Sequence, residues 1–316
     1  MLKTIRTALF SSAVLLSPAA LAGASAEPLK VVASFSILAD FAKNVGGDRV
    51  EITTLVGPDG DAHVYEPKPA DAAAVASADV VLVNGLQFEG FVPRLVEASG
   101  AKAPLVELSK GADLLPASGG HEDEAGAAHD HGSEADHDHG AHDPHAWQSV
   151  RNAKVYVTNV ADAFCTADAD GCDTYRANAS AYGQKLDVLE AEITAAVAAI
   201  PEAKRTIITS HDAFGYLAHA YGLNFVAPKG VSTEAEASAA DVAALIRQVR
   251  EDRASAVFVE NITNPRLIEQ IATETGLEIG GALYSDALSP EGGPAATYID
   301  MMRHNLATIK GAVTGS

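Results

Sequence analysis

Basic residues are in short supply in this chain: 22 Lys and Arg stand against 42 Asp and Glu, a formal charge of −20. That balance excludes nucleic acid and anionic membrane surfaces as natural partners, and it suits a protein that handles cations. Cysteine is nearly missing as well. Only Cys165 and Cys172 occur; they are not spaced as C-x-x-C and neither has a histidine close by, so a thiolate metal knot is not supported. Past the N-terminus there is no long apolar run, whereas a bilayer span takes ~20 such residues. Signatures of hydrolases are missing too. There is no G-x-S-x-G, and His121-Glu122-Asp123-Glu124-Ala125 begins like H-E-x-x-H but lacks the second His.

The N-terminus carries an export signature. Lys3 and Arg6 precede an apolar run over 8–16, Pro18 breaks it, and Ala24-Ser25-Ala26 supplies the small residues a signal peptidase requires. The expectation is a signal peptide over 1–26, cleaved after Ala26, and a periplasmic mature chain. No cysteine near that point could carry a lipid anchor. In an oxidising compartment Cys165 and Cys172 read as a local disulfide, which would stabilise the fold by roughly 2–3 kcal/mol in the chain-entropy model.

Hydrophobic residues make up 47% of the chain, enough to build two lobes of ordinary size. Short β-branched runs at 29–35, 51–56, 80–83 and 105–108 alternate with helical patterns at 37–45, 70–77 and 88–99. A second series follows, with strands at 206–209, 224–227, 256–259 and 278–284 and helices at 213–221, 239–250, 265–275 and 295–309. Alternation at this spacing implies parallel sheets covered by helices. Between the two series, Tyr182, Leu186, Leu189, Ile193, Val197 and Ile200 recur at steps of three and four up to Pro201. They predict one long helix of ~40 Å. The expected α/β organisation is an N-terminal lobe over 27–172, a rigid connecting helix over 173–200 and a C-terminal lobe over 201–316. A mobile stretch of Gly, Ala, Ser, His, Asp and Glu at 117–143 interrupts the first lobe.

Histidine is where the sequence is rich. His121, His129, His131, His137, His139 and His142 crowd the polar stretch, and weak, multiple zinc capture there outweighs a plain solvated linker. His219 and His304 fall inside helical patterns and read as structural or exposed, and Trp147, the only tryptophan, reads as a core anchor. Four other residues stand apart: His63, His145, His211 and Asp286. His211 and Asp286 each follow a strand directly, His63 lies just past one, and His145 comes straight after the histidine-rich stretch. Ligands in open α/β sheets bind outside the carboxyl ends of strands. Three imidazoles and one carboxylate form an N₃O set without sulfur, suited to Zn²⁺. With two residues from each lobe, the metal would sit in the inter-lobe cleft. A catalytic zinc site usually keeps an open position for water, so a fourth protein ligand speaks against an enzyme.

These segments carry a family resemblance. Gly57-Pro58-Asp59-Gly60-Asp61-Ala62-His63-Val64-Tyr65-Glu66-Pro67, Asp143-Pro144-His145-Ala146-Trp147, Thr209-Ser210-His211-Asp212-Ala213-Phe214-Gly215-Tyr216 and Tyr284-Ser285-Asp286-Ala287-Leu288-Ser289 resemble the metal-binding segments of the zinc and manganese substrate-binding proteins of ABC importers. Val83-Asn84-Gly85-Leu86 and Ser232-Thr233-Glu234-Ala235-Glu236 extend the likeness over the whole mature chain. The resemblance implies two βα lobes, a rigid helix between them, and metal held by His63, His145, His211 and Asp286. It also implies delivery to the membrane permease of a zinc importer, with a periplasmic zinc chaperone as a further candidate partner and a monomeric state. Manganese members of that family typically carry Glu where this chain has His211, so Zn²⁺ is the expected cargo. A manganese-binding importer component, or a zinc buffer without a transporter, stand as alternatives. Asp212 and Glu66, next to candidate ligands, are the sequence's candidates for carboxylates supporting an imidazole.

Overall fold

The computed structural model describes residues 27–117, 141–228, 230–234, 237–252 and 254–315. The expected signal peptide and five of the clustered histidines (His121, His129, His131, His137 and His139) lie outside the described residues.

The first half winds β1 (Leu29–Phe35), α1 (Ser36–Gly46), β2 (Val50–Val56), α2 (Pro69–Ser77), β3 (Val80–Val83), α3 (Val92–Ser99) and β4 (Leu105–Glu107) into one sheet of order β2-β1-β3-β4. Every pair in it is parallel. The central strands β1 and β3 are covered on both faces, which is why they read as almost unbroken apolar runs. The edge strand β2 alternates, with Glu51 and Thr53 exposed.

Two helices then lead out of this sheet. α4 (Val150–Ala167) turns into α5 (Cys172–Ala198), and Cys165 is disulfide-bonded to Cys172 at the turn. Arg49 from the first lobe donates to Asp168 at 2.7 and 3.2 Å, and Tyr175 donates to the same carboxylate, so the turn is pinned from both sides. α5 is the long helix that the spacing predicts. Its buried stripe is Tyr175, Tyr182, Leu186, Leu189, Ile193 and Val197, and each aliphatic member contributes about 1.5–3 kcal/mol by leaving water.

The second half repeats the plan with β5 (Thr206–Ile208), α6 (Gly215–Tyr221), β6 (Asn224–Val226), α7 (Ala239–Asp252), β7 (Ala256–Glu260), α8 (Arg266–Thr275), β8 (Ile279–Leu283) and α9 (Tyr298–Thr314). Its sheet is again parallel, in the order β6-β5-β7-β8. The last helix starts three residues later than the apolar pattern suggests, because the Thr297 side chain accepts from the Asp300 amide and caps it there. α3 likewise begins at Val92 rather than at Phe88, for a reason that belongs to the site.

One hydrophobic core runs from the first sheet through α4, α5 and α9 to one face of the second sheet, taking in Phe41, Tyr156, Leu186, Tyr298, Met301 and Phe258. A smaller core of Ile208, Leu245, Val249, Val257, Ile268 and Ile271 fills the other face, under α7 and α8. The lobes are therefore joined by packed helices and not by α5 alone. Both strand orders reverse beside their first strand, between β1 and β3 and between β5 and β7, and the two crevices that this creates face one another.

Candidate metal centre

Each of the four residues singled out in the sequence is placed by the end of a strand or by a tight turn. His63 rides on the loop after β2, where its amide donates to Asp61 Oδ1 at 2.9 Å. His145 follows the histidine-rich stretch. Its base is held by a bridge between Pro116 and His142 and by the Asp143 amide donating to Leu115 O at 3.0 Å. The end of the expected mobile stretch is thus folded: Asp143 is buried, and its Oδ1 takes both the His145 amide at 2.9 Å and Nδ1 of the ring at 2.7 Å. His211 comes three residues after β5. Glu260, the last residue of neighbouring β7, accepts the amides of Ser210 and His211 through Oε1 at 2.7 and 3.0 Å. Its Oε2 lies 2.8 Å from His211 Nδ1, close enough to pair charges although out of line for a hydrogen bond.

These constraints aim all three Nε2 atoms at Asp286. They lie 3.3 Å (His63), 3.6 Å (His145) and 3.2 Å (His211) from its carboxylate oxygens. One donor atom from each of the four residues falls within 4.8 Å of all the others, and all four residues are buried. Four ligands at ~2.1 Å from a tetrahedral ion sit ~3.4 Å apart, and the three histidine–aspartate separations are of that size. Nε2 of His63, Nε2 of His145 and Oδ1 of Asp286 are buried without a hydrogen-bond partner, which native interiors rarely tolerate unless the group has another purpose.

The surrounding shell is built to hold this geometry. Trp147 Nε1 and Gln148 Nε2 cross from the first lobe to donate to Ser285 O at 3.1 and 2.8 Å, tying the His145 segment to the residue before Asp286. Tyr216 of α6 donates to Asp143 O at 2.7 Å and accepts from the Leu115 amide at 3.1 Å. Gly215 sits so close that a Cβ there would lie 2.7 Å from Asp143 Oδ2. Phe88 packs against His63 and His145, with ring centroids at 4.6 and 5.8 Å. It is set by a left-handed run at Gly85, Leu86 and Gln87 (φ 84°, 56° and 61°), a conformation that costs non-glycine residues ~1–2 kcal/mol each. Buried Glu89 holds that run by accepting the Asn84 and Gly85 amides, and its own pKa is pushed up to about 7 by burial. This turn delays the start of α3.

The electrostatics follow from the same contacts. Burial pushes His145 down, but the carboxylates of Asp286 and Asp143 outweigh it and raise the ring to about 9. His211 is likewise raised well above its ordinary value, with burial opposing and Glu260 and Asp286 winning. Burial pushes Asp286 up, yet His145 and His211 hold it well below the usual carboxylate range. At neutral pH the metal-free cleft is thus a compact imidazolium–carboxylate cluster.

Sequence reasoning missed Asp143 and Glu260, the carboxylates that face the rings, and favoured Asp212 and Glu66 instead. Glu66 is exposed, whereas Asp143 and Glu260 lie 2.7 and 2.8 Å from Nδ1 of His145 and His211. A carboxylate two residues before His145 was a signal that could have found Asp143. Nothing in the spacing joins Glu260 to a residue 49 positions earlier.

Comparison with known proteins agrees with this architecture. The manganese-binding lipoprotein MntA of Halalkalibacterium halodurans is 38% identical over 283 residues, spanning 90% of this chain and 88% of the relative. The iron-binding protein YfeA of Yersinia pestis is 34% identical, over 95% of this chain and 92% of its own length. Among solved structures, the periplasmic zinc-binding protein TroA of Treponema pallidum superposes with a TM-score of 0.81 at 28% identity, covering 91% of this chain and 99% of that one. With residues 31–312 matching the family described as zinc-uptake complex component A, periplasmic, and with two parallel-sheet lobes around a cleft of three histidines and an aspartate, the chain belongs to the ZnuA family: it is a substrate-binding protein of a metal ABC importer.

Proposed function

We propose that the cargo is Zn²⁺, held by His63, His145, His211 and Asp286 and handed to the membrane permease of a zinc importer. Residues 27–172 and 201–316 act as the two jaws about the helix over 173–200. What carries the choice of metal is the third imidazole. An N₃O set with separations suited to a four-coordinate ion favours Zn²⁺, whereas Mn²⁺ prefers more oxygen ligands. Buried carboxylates behind His145 and His211 support the same reading, since they fix each ring and raise its basicity as a ligand. The segment holding the clustered histidines, whose base joins directly onto Asp143 and His145, would gather zinc near the cleft. The signal peptide over 1–26 would place the monomeric protein in the periplasm.

Manganese is the second reading, because the relative MntA is named for manganese and YfeA for iron. Metal analysis of protein purified from its own cells, followed by competition between Zn²⁺ and Mn²⁺ for one site, separates the two. Zinc should be retained at one ion per chain in the presence of a large excess of manganese. Co-purified manganese that zinc displaces only weakly would refute the zinc assignment. His211→Glu should shift the preference towards Mn²⁺.

A further inference from the structure

His63 is held differently from the other two imidazoles. His145 and His211 are wholly buried, each with a carboxylate at Nδ1, whereas His63 keeps 8% of its surface exposed and rides on the loop between β2 and α2. Its restraint acts through the backbone: the His63 amide donates to Asp61 Oδ1 at 2.9 Å. The other oxygen of that carboxylate, Oδ2, accepts from Thr233 Oγ1 of the opposite lobe at 2.6 Å. One side chain therefore links a candidate ligand to the facing jaw.

The loop touches the second lobe elsewhere as well. The Asp59 amide donates to Leu288 O at 3.0 Å, and Asn261 Nδ2 donates to Asp59 Oδ1 at 3.0 Å. Those contacts brace the loop tip, but they do not reach the His63 amide. Among the described residues, Asp61 is the side chain that bonds both the His63 amide and the second lobe.

We propose that Asp61 is a positioning residue that couples closure of the lobes to placement of His63, and that its bond to Thr233 sets how fast the metal leaves. With both oxygens engaged, the carboxylate is confined to one orientation and the His63 turn is fixed against it. When the jaws part, Thr233 moves with the second lobe and Asp61 loses its outer partner. The carboxylate can then rotate towards water and release the His63 amide. His63, the most exposed of the three rings and, among the described residues, the one with no carboxylate at its Nδ1, is the first ligand to swing away. His145, His211 and Asp286 hold the ion until the permease takes it. Capture runs in the opposite order, so a contact that forms on closure stabilises the loaded state without being needed for the first encounter.

This inference rests on the reading of His63 as a ligand, and the experiment separates the two. Zn²⁺ release into excess chromogenic chelator is followed by stopped flow for the full-length mature protein and for Thr233→Val, Thr233→Ser and His63→Ala. Thr233→Val keeps the shape and removes the hydroxyl. Release should accelerate about tenfold, the factor given by ~1.4 kcal/mol of lost closed-state contact, while association stays at the parent rate. Thr233→Ser, which keeps the hydroxyl, should restore slow release. The absorption spectrum of bound Co²⁺ should be the same in both Thr233 variants as in the parent and should change in His63→Ala. Parent-like release from Thr233→Val, or equal acceleration in the Val and Ser variants, would overturn the coupling while leaving the ligand set intact. An unchanged Co²⁺ spectrum in His63→Ala would remove His63 from the site, and the coupling with it.

Discussion

Metal binding to this cleft should expel protons, and the number expelled can be read from the structure. His145 has a pKa of about 9 in the metal-free protein, and His211 is raised in the same direction. Near pH 7 both rings are charged, yet each must present a neutral nitrogen to a metal. Binding at pH 7 should therefore release close to two protons per ion. The apparent dissociation constant should fall by roughly a hundredfold per pH unit while both rings are protonated and by about tenfold per unit once one remains. Isolated histidines, with pKa ~6.5, would place this dependence below pH 7; the carboxylates of the cleft carry it up to about 9. Stability of the metal-free protein should run the other way. A pKa raised from ~6.5 to about 9 is worth ~3 kcal/mol. That stabilisation is fully present below the unfolded value and is lost as pH rises through about 9. Asp286 is the other half of the same ion pair, so its contribution is counted once; being depressed, it is lost only when pH falls through its folded value. The thermal gain on adding zinc should accordingly grow between pH 6.5 and 9. Calorimetric titrations in buffers of different ionisation enthalpy measure the proton count directly. A release near zero at pH 7, or an affinity flat from pH 6.5 to 8.5, would refute the argument.

Two further outcomes are expected. Gly215→Ala drives a Cβ to within 2.7 Å of Asp143 Oδ2, so it should displace the carboxylate from His145 and weaken zinc binding by about 10–100-fold, as Asp143→Asn should; competition titrations giving parent affinity for either would remove Asp143 from its supporting role. Replacing Cys165 and Cys172 by Ser should lower stability by roughly 2–3 kcal/mol in denaturant unfolding and leave zinc affinity unchanged, because the bridge lies at the α4–α5 turn and away from the cleft.

The sequence by itself determined most of the elements and pointed to four residues that the fold gathers in the cleft. The strands announced themselves because buried parallel strands are short β-branched runs, and α5 because its stripe recurs every three or four residues. His63, His145, His211 and Asp286 were visible because each sits beside a strand end or a tight turn, features written in neighbouring residues. What only the tertiary structure decided is everything that depends on which strands lie side by side. Glu260 faces His211 because β7 crosses over to pair with β5, a choice made by the packing of helices on the sheet and not by spacing. Asp61 meets Thr233, and Trp147 meets Ser285, only because a continuous core through α4, α5 and α9 brings the two crevices face to face. The pKa of His145 belongs to the same class. Composition supplies an imidazole of ordinary basicity, and Asp286 from the other lobe, together with neighbouring Asp143 buried against the same ring, sets where it titrates.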